Sequence, residues 1–123
     1  MESLIETVER EVSGWLGVEA KPHRFGGVEL WVMGREIGHL YGSRLADLPF
    51  PVRMRKELVA EGKAQPHHLF PQTGWVSYYP QGPEDAPVAV ELFRLNYEHL
   101  VERSRKKSEK AAASGGIPGG ESR

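Results

Sequence analysis

The stretch GVELWVMGREIGHLYG, Gly27 to Gly42, decides the fold. Val28, Leu30 and Val32 recur at every second position, which is the period of a β-strand. Gly34 interrupts the alternation, and a second strand-like segment runs from Arg35 to Tyr41. The stretch therefore predicts two antiparallel strands joined by a tight turn. The first strand is apolar on both faces near its end, which predicts a central place in a sheet.

The segments on either side of this pair differ in character. About Glu19 to Phe25 is a third predicted strand, separated from the pair by Gly26 and Gly27, so the three strands form a meander. The segment GSRLADLPFP, residues 42 to 51, is predicted to be a structured loop, because its two prolines remove backbone donors and restrict the residues before them.

Helices and a further hairpin complete the chain. Apolar spacings of three and four predict helices from Leu4 to Leu16, from Pro51 to about Glu61 and from about Pro87 to Arg103. A hairpin is predicted between the last two helices, with strands over residues 64–70 and 75–79 around the turn PQTG. The order α-βββ-α-ββ-α predicts a single α+β domain over residues 1–103, with a mostly antiparallel sheet of about five strands and the helices packed on one face.

Charge is distributed unevenly along the chain. Residues 1–102 carry 10 Lys and Arg against 15 Asp and Glu, a net charge of −5, whereas residues 103–123 carry 6 against 2, a net charge of +4. The terminal residues 104–123 are predicted to be a disordered basic tail rich in Gly and Ser. An acidic body is a poor surface for a nucleic-acid backbone.

Composition excludes several classes of site and of location. Cysteine is absent, which rules out disulfides, thiolate catalysis and Cys-ligated metals. The N-terminus lacks the pattern of a signal peptide, and no apolar run approaches membrane-spanning length. We therefore expect a cytoplasmic protein that does not enter a membrane.

The five histidines offer no recognisable metal motif. They show neither the H-x-H spacing of a strand site nor the H-x-x-x-H spacing of a helix site. On a regular strand His67 and His68 would point to opposite faces, so we expect at most one of them in a site and predict no metal and no cofactor.

The residues near the predicted loop nonetheless form a candidate pocket. His39 shares a strand face with Arg35, Ile37 and Tyr41 and precedes the loop that carries Asp47. If the hairpin pairs nearby, the pocket has three candidate catalytic residues and four candidate ligand-binding residues: His39, Asp47 and His67, then Arg35, Tyr41, His68 and Trp75. The alternative is purely structural, with Asp47 bracing the loop and His39 bonded to a backbone carbonyl.

Several segments together resemble a known family. The sequences HRFGG, GREIGH, ADLPF, PHH and GWVS, within about residues 20–100, resemble the small proteins called luciferase domain or luciferase family. The resemblance implies no established activity, and a chain this short lacks the barrel of a flavin-dependent luciferase. More loosely, the layout is similar to helix-and-sheet domains of the MmcQ/YjbR type.

Three functional hypotheses follow. The leading one is a module, monomeric or weakly dimeric, that binds a small ligand or a protein partner in the pocket. The second is a small hydrolase or an oxygenase-associated enzyme that uses His39 or His67 as base. The third is nucleic-acid contact through Arg53, Arg55, Lys56 and the basic tail.

Overall fold

The computed structural model describes residues 3–22, 26–41 and 45–115. These residues form three α-helices and six β-strands, with one 3₁₀ turn at Pro83–Asp85. In chain order the elements are α1 (Leu4–Ser13), β1 (Val18–Pro22), β2 (Val28–Val32), β3 (Arg35–Tyr41), β4 (Leu45–Pro49), α2 (Val52–Ala60), β5 (Gln65–Pro66), β6 (Trp75–Tyr78) and α3 (Ala86–Gly115). The predicted α+β class is confirmed.

The strands form one antiparallel sheet in the order β1-β2-β3-β4-β6-β5. The turn between β2 and β3 has positive φ at both central residues, 53° at Met33 and 75° at Gly34, as a type I′ hairpin turn requires. The predicted meander over β1, β2 and β3 is therefore confirmed.

One face of the sheet and the three helices enclose a single hydrophobic core. Leu30 and Leu40 of the sheet lie in it together with Val8 of α1, Leu58 of α2 and Phe93 of α3. α1 begins with a capping box, in which the Ser3 hydroxyl accepts from the backbone N–H of Glu6 and the Glu6 carboxylate accepts from that of Ser3. The helices do not cover the opposite face of the sheet, which carries the polar residues described below.

The segment expected to be an irregular loop contains a strand instead. Residues 45–49 form β4, which pairs with β3 on one side and with β6 on the other. The prolines do not prevent this, because the pairs with β3 end at His39 and Asp47, before Pro49 is reached. The prediction for this segment was wrong, and the sheet has six strands because of it.

A β-bulge in β3 changes which residues share a face. Leu30 pairs with Gly38 but Trp31 pairs with Glu36, so Ile37 is one extra residue on β3. Ile37 is fully buried in the core, and Glu36 lies on the same face as His39. The prediction that Arg35 and Ile37 share the face of His39 was therefore wrong.

Two contacts between the core and β3 lie at this bulge. The Asn96 side chain of α3 donates to the carbonyls of Ile37, at 2.9 Å, and of Pro49, at 3.1 Å, and so bridges β3 and β4. A side chain on Gly38 would lie 2.9 Å from Leu48, from Phe93 and from the Asp47 carbonyl, so only glycine fits between strand and helix.

The last helix is longer than predicted. α3 passes Arg103 and includes residues 104–115 of the segment expected to be a disordered tail. Arg105 pairs with Glu102 and Glu109 at helical spacings of three and four, which stabilises the extension. Residues 116–123 lie outside the described residues. Within the described part of the chain, no helix is long and apolar enough to cross a membrane.

Candidate functional site

Asp47 is the centre of a polar cluster on the sheet face opposite the helices. It lies in β4 between His39 of β3 and Ser77 of β6, its direct cross-strand partners. The Ser77 hydroxyl donates to Asp47 Oδ1 at 2.7 Å. Asp47 is only 1% exposed, so its charge depends on protein partners rather than on water.

His39 lies between two carboxylates. Its Nε2 is 3.3 Å from Asp47 Oδ2 and its Nδ1 is 2.7 Å from Glu36 Oε2. Burial opposes protonation of this ring, but the hydrogen bonds and charges of Asp47 and Glu36 outweigh it and raise the pKa of His39 to about 9. His39 is therefore an imidazolium at neutral pH, with both ring nitrogens donating.

The same contacts keep Asp47 ionised. Burial alone would raise the pKa of its carboxyl group, but the hydrogen bonds from His39 and Ser77 and the nearby charge of His67 lower it. Asp47 and His39 thus form a buried ion pair, with Glu36 as the second anion.

His67 and His68 both approach this pair. The Nε2 atom of each lies 3.4 Å from Asp47 Oδ2, and the two rings stack with centroids 4.3 Å apart. The prediction that they point to opposite faces was wrong, because β5 ends at Pro66 and the chain turns immediately after it. The His68 side chain is 37% exposed, whereas that of His67 is buried.

The backbone contacts of His67 determine which of its ring nitrogens carries the proton when the ring is neutral. Its Nδ1 accepts hydrogen bonds from the backbone N–H groups of Leu69, at 3.1 Å, and Phe70, at 3.2 Å. The ring proton of the neutral form is therefore on Nε2, which faces Asp47. Burial, with the charges of His68 and His39, lowers the pKa of His67 despite the attraction of Asp47.

A cavity of about 260 Å³ opens above the cluster. Its walls are mostly aromatic or apolar: the rings of Tyr41 and Trp75 lie 5.1 and 5.4 Å from that of His39. Leu69 and Phe70 are exposed at its rim. The complete lining is His39, Tyr41, Asp47, His67, His68, Leu69, Phe70 and Trp75.

The structure brings together six of the seven residues nominated from the sequence. Arg35 is the exception, because it lies at the turn end of β3, beyond the bulge, and lines other cavities. Sequence reasoning missed Glu36, whose orientation depends on the bulge, and the bond of Ser77 to Asp47. The Asp47–Ser77 pair could have been found had residues 45–49 been assigned to a strand, since the two are cross-strand partners.

The arrangement limits the acid–base chemistry of the histidines. A general base must offer a free lone pair near neutral pH. His39 has none while protonated, and the free lone pair of neutral His67 already accepts two backbone N–H groups. The hypothesis that either acts as base is therefore disfavoured, and His68 is the histidine whose ring reaches solvent at this cavity.

The cluster also has the composition of a cation site. Asp47, His67 and His68 each offer one ligand atom, and these atoms lie within 4.8 Å of one another. The nitrogen–oxygen separations of 3.3–3.4 Å around Asp47 Oδ2 exceed those of charge-assisted hydrogen bonds, which are about 2.7–2.9 Å.

The comparisons with known proteins give one family. A family model described as Luciferase domain matches residues 34–96, the part of the chain that contains the whole polar cluster. No curated protein and no solved structure matches the chain.

Proposed function

The chain belongs to the luciferase-domain family, and from that premise we propose that it is a binding module whose small ligand occupies the cavity above Asp47. The observation that carries the proposal is the convergence of three histidines on one buried carboxylate beneath an aromatic-walled cavity. Burying an ion pair costs desolvation energy that an apolar cluster would avoid, so the fold by itself does not call for these residues.

The shape of the cavity indicates the class of ligand. Its volume of about 260 Å³ is slightly below the usual range of about 300–1,000 Å³ for ligand pockets, so the ligand is small. The rings of Trp75 and Tyr41 would pack against a flat apolar ligand, and the partly exposed His68 at the mouth offers a single polar contact. The ligand that fits is a small aromatic or other planar molecule with one hydrogen-bonding group.

The test is ligand-observed NMR with a library of small aromatic fragments. Trp75→Leu removes the cavity wall, and Trp15→Leu is the matched control, since Trp15 is also partly buried but lines neither this cavity nor the two cavities beside α3 described below. We expect fragments that bind the wild type and the control and are lost in the Trp75 variant. Fragments that bind all three proteins equally, or none that bind the wild type, would refute the proposal.

A divalent cation is a second candidate ligand. The Nε2 atoms of His67 and His68 each lie 3.4 Å from Asp47 Oδ2, which matches the separation of ligand atoms at about 2 Å from a tetrahedral ion. Against it, Nε2 of His67 is protonated in the neutral form and would have to lose that proton and the two backbone contacts at Nδ1. Titration with Zn²⁺ followed by thermal unfolding distinguishes the two: a rise in Tm in the wild type that Asp47→Asn abolishes supports the cation, and an unchanged Tm excludes it.

A further inference from the structure

A second cavity lies away from the Asp47 cluster, between the β2–β3 turn and the outer half of α3. Its volume is about 350 Å³. Three of its lining residues are cations, Arg35 from β3 and Arg103 and Lys107 from α3. Ser104 adds a hydroxyl group, and the remaining lining residues are Val32, Met33, Gly34 and Leu100.

Among the described residues, these three cations lack the carboxylate partners that Lys63, Arg94 and Arg105 have. Among residues 3–22, 26–41 and 45–115, neither arginine nor Lys107 forms an ion pair. By contrast, Arg105 on the same helix pairs with Glu102 and Glu109. Positive charges that gather around a cavity without anions favour an external anion.

The positive field extends into a neighbouring cavity. This one, of about 430 Å³, shares Arg35 and Arg103 and adds His99 and the aromatic side chain of Phe50. Burial and the charges of Arg103 and Arg53 lower the pKa of His99, so the two arginines from different helices act on the same place. Glu36 is the acidic residue of the lining, and its carboxylate is already bound to His39.

We propose that these two joined cavities bind a phosphorylated small molecule, with the phosphate against Arg35, Arg103 and Lys107 and the organic part beside Phe50. Arginine forks match phosphate oxygens, and the lysine and the Ser104 hydroxyl supply further donors. This site is distinct from the cavity above Asp47, and neither proposal depends on the other.

A small anion fits this surface better than a nucleic-acid backbone does. The cations surround a cleft instead of following a line, and residues 1–102 carry 15 Asp and Glu against 10 Lys and Arg. Arg53 is the one residue of the predicted nucleic-acid helix whose charge reaches the site, through His99.

The experiment is calorimetric titration of the full chain with inorganic pyrophosphate at low salt. Arg103→Gln and Lys107→Gln each remove one cation of the cavity. The matched controls are Arg105→Gln and Lys106→Gln, which remove the same charges from adjacent positions of α3 that do not line it. We expect saturable binding that each cavity variant weakens about tenfold, while the controls change it less than about twofold.

Three other results would overturn the proposal. The proposed site is ruled out if pyrophosphate fails to bind the wild type. It is also ruled out if pyrophosphate binds the cavity variants and the controls equally. If a single-stranded oligonucleotide binds the wild type but pyrophosphate does not, and the oligonucleotide affinity falls equally in all four variants, the charges serve nucleic acid instead.

Discussion

Replacing His39 by Gln should remove the loss of stability that the wild type undergoes as the pH becomes alkaline. In the folded protein His39 is held protonated by Asp47 and Glu36 with a pKa of about 9, against an ordinary value of 6.5. Because the folded pKa is the higher one, protonation stabilises the fold. This contribution is complete below about pH 6.5 and is lost as the pH rises through about 9.

The size of the effect follows from the two pKa values. Their difference, at about 1.4 kcal/mol for each pH unit, corresponds to about 3 kcal/mol of unfolding free energy. The conversion is appropriate because the His39 side chain is only 10% exposed and water screens its contacts little. For a domain of this size that is a large share of the total stability.

The assay is urea unfolding followed by tryptophan fluorescence, with a chelator present, between about pH 6 and about pH 9.5. The wild type should lose most of the 3 kcal/mol across this range, and His39→Gln should be almost flat. His99→Gln is the control: burial and its arginine neighbours lower the pKa of His99, so its contribution changes only on the acid side and the alkaline loss should remain.

Equal pH dependence in the wild type and in His39→Gln would refute the reasoning. It would mean that His39 is neutral in the folded protein and that its position between two carboxylates has another cause.

Three further predictions concern stability and can be checked by the same urea unfolding. Asp47→Asn should lower the unfolding free energy by about 3 kcal/mol, because it removes one charge of a buried pair, and a loss below about 1 kcal/mol would contradict the pairing. Gly38→Ala should cost about 1–3 kcal/mol because the new methyl group meets three atoms at 2.9 Å, whereas Gly14→Ala, with its nearest contact at 3.4 Å, should be almost neutral; equal costs would disprove the close packing. Asn96→Ala should cost about 2 kcal/mol through its two lost hydrogen bonds to buried carbonyls, and an unchanged midpoint would show that it bridges nothing.

The sequence was sufficient for the architecture wherever a local pattern determines it. Alternation along β2 and β3, with Gly34 at a turn that needs positive φ, specifies the meander. This places His39 beside the next segment of the chain. Asp47 lies in that next segment, whereas Trp75 could be placed near His39 only on the condition that the hairpin pairs nearby; both line the pocket.

What the sequence did not reveal depends on contacts between distant segments. Pro49 and Pro51 made β4 look like a loop in the sequence. Its partner β6 comes after α2 in the chain, so no local pattern indicates the pairing. The positions of His67 and His68 depend on where β5 stops, and strand ends are set by partners rather than by composition. The bulge at Ile37 has no local signal, because an isoleucine is equally suited to either face of a strand.

The bulge makes the length of β3 as important as its composition. Deleting Ile37 would remove the bulge and take a buried side chain out of the core, but it would leave Glu36 on the face of His39. A protein longer by one residue between Glu36 and Gly38 could keep its sheet and its helices and still lose the second carboxylate that holds the imidazolium, because alternation would then place Glu36 on the other face. We therefore expect the segment between Glu36 and Gly38 to tolerate exchange of side chains far better than an insertion.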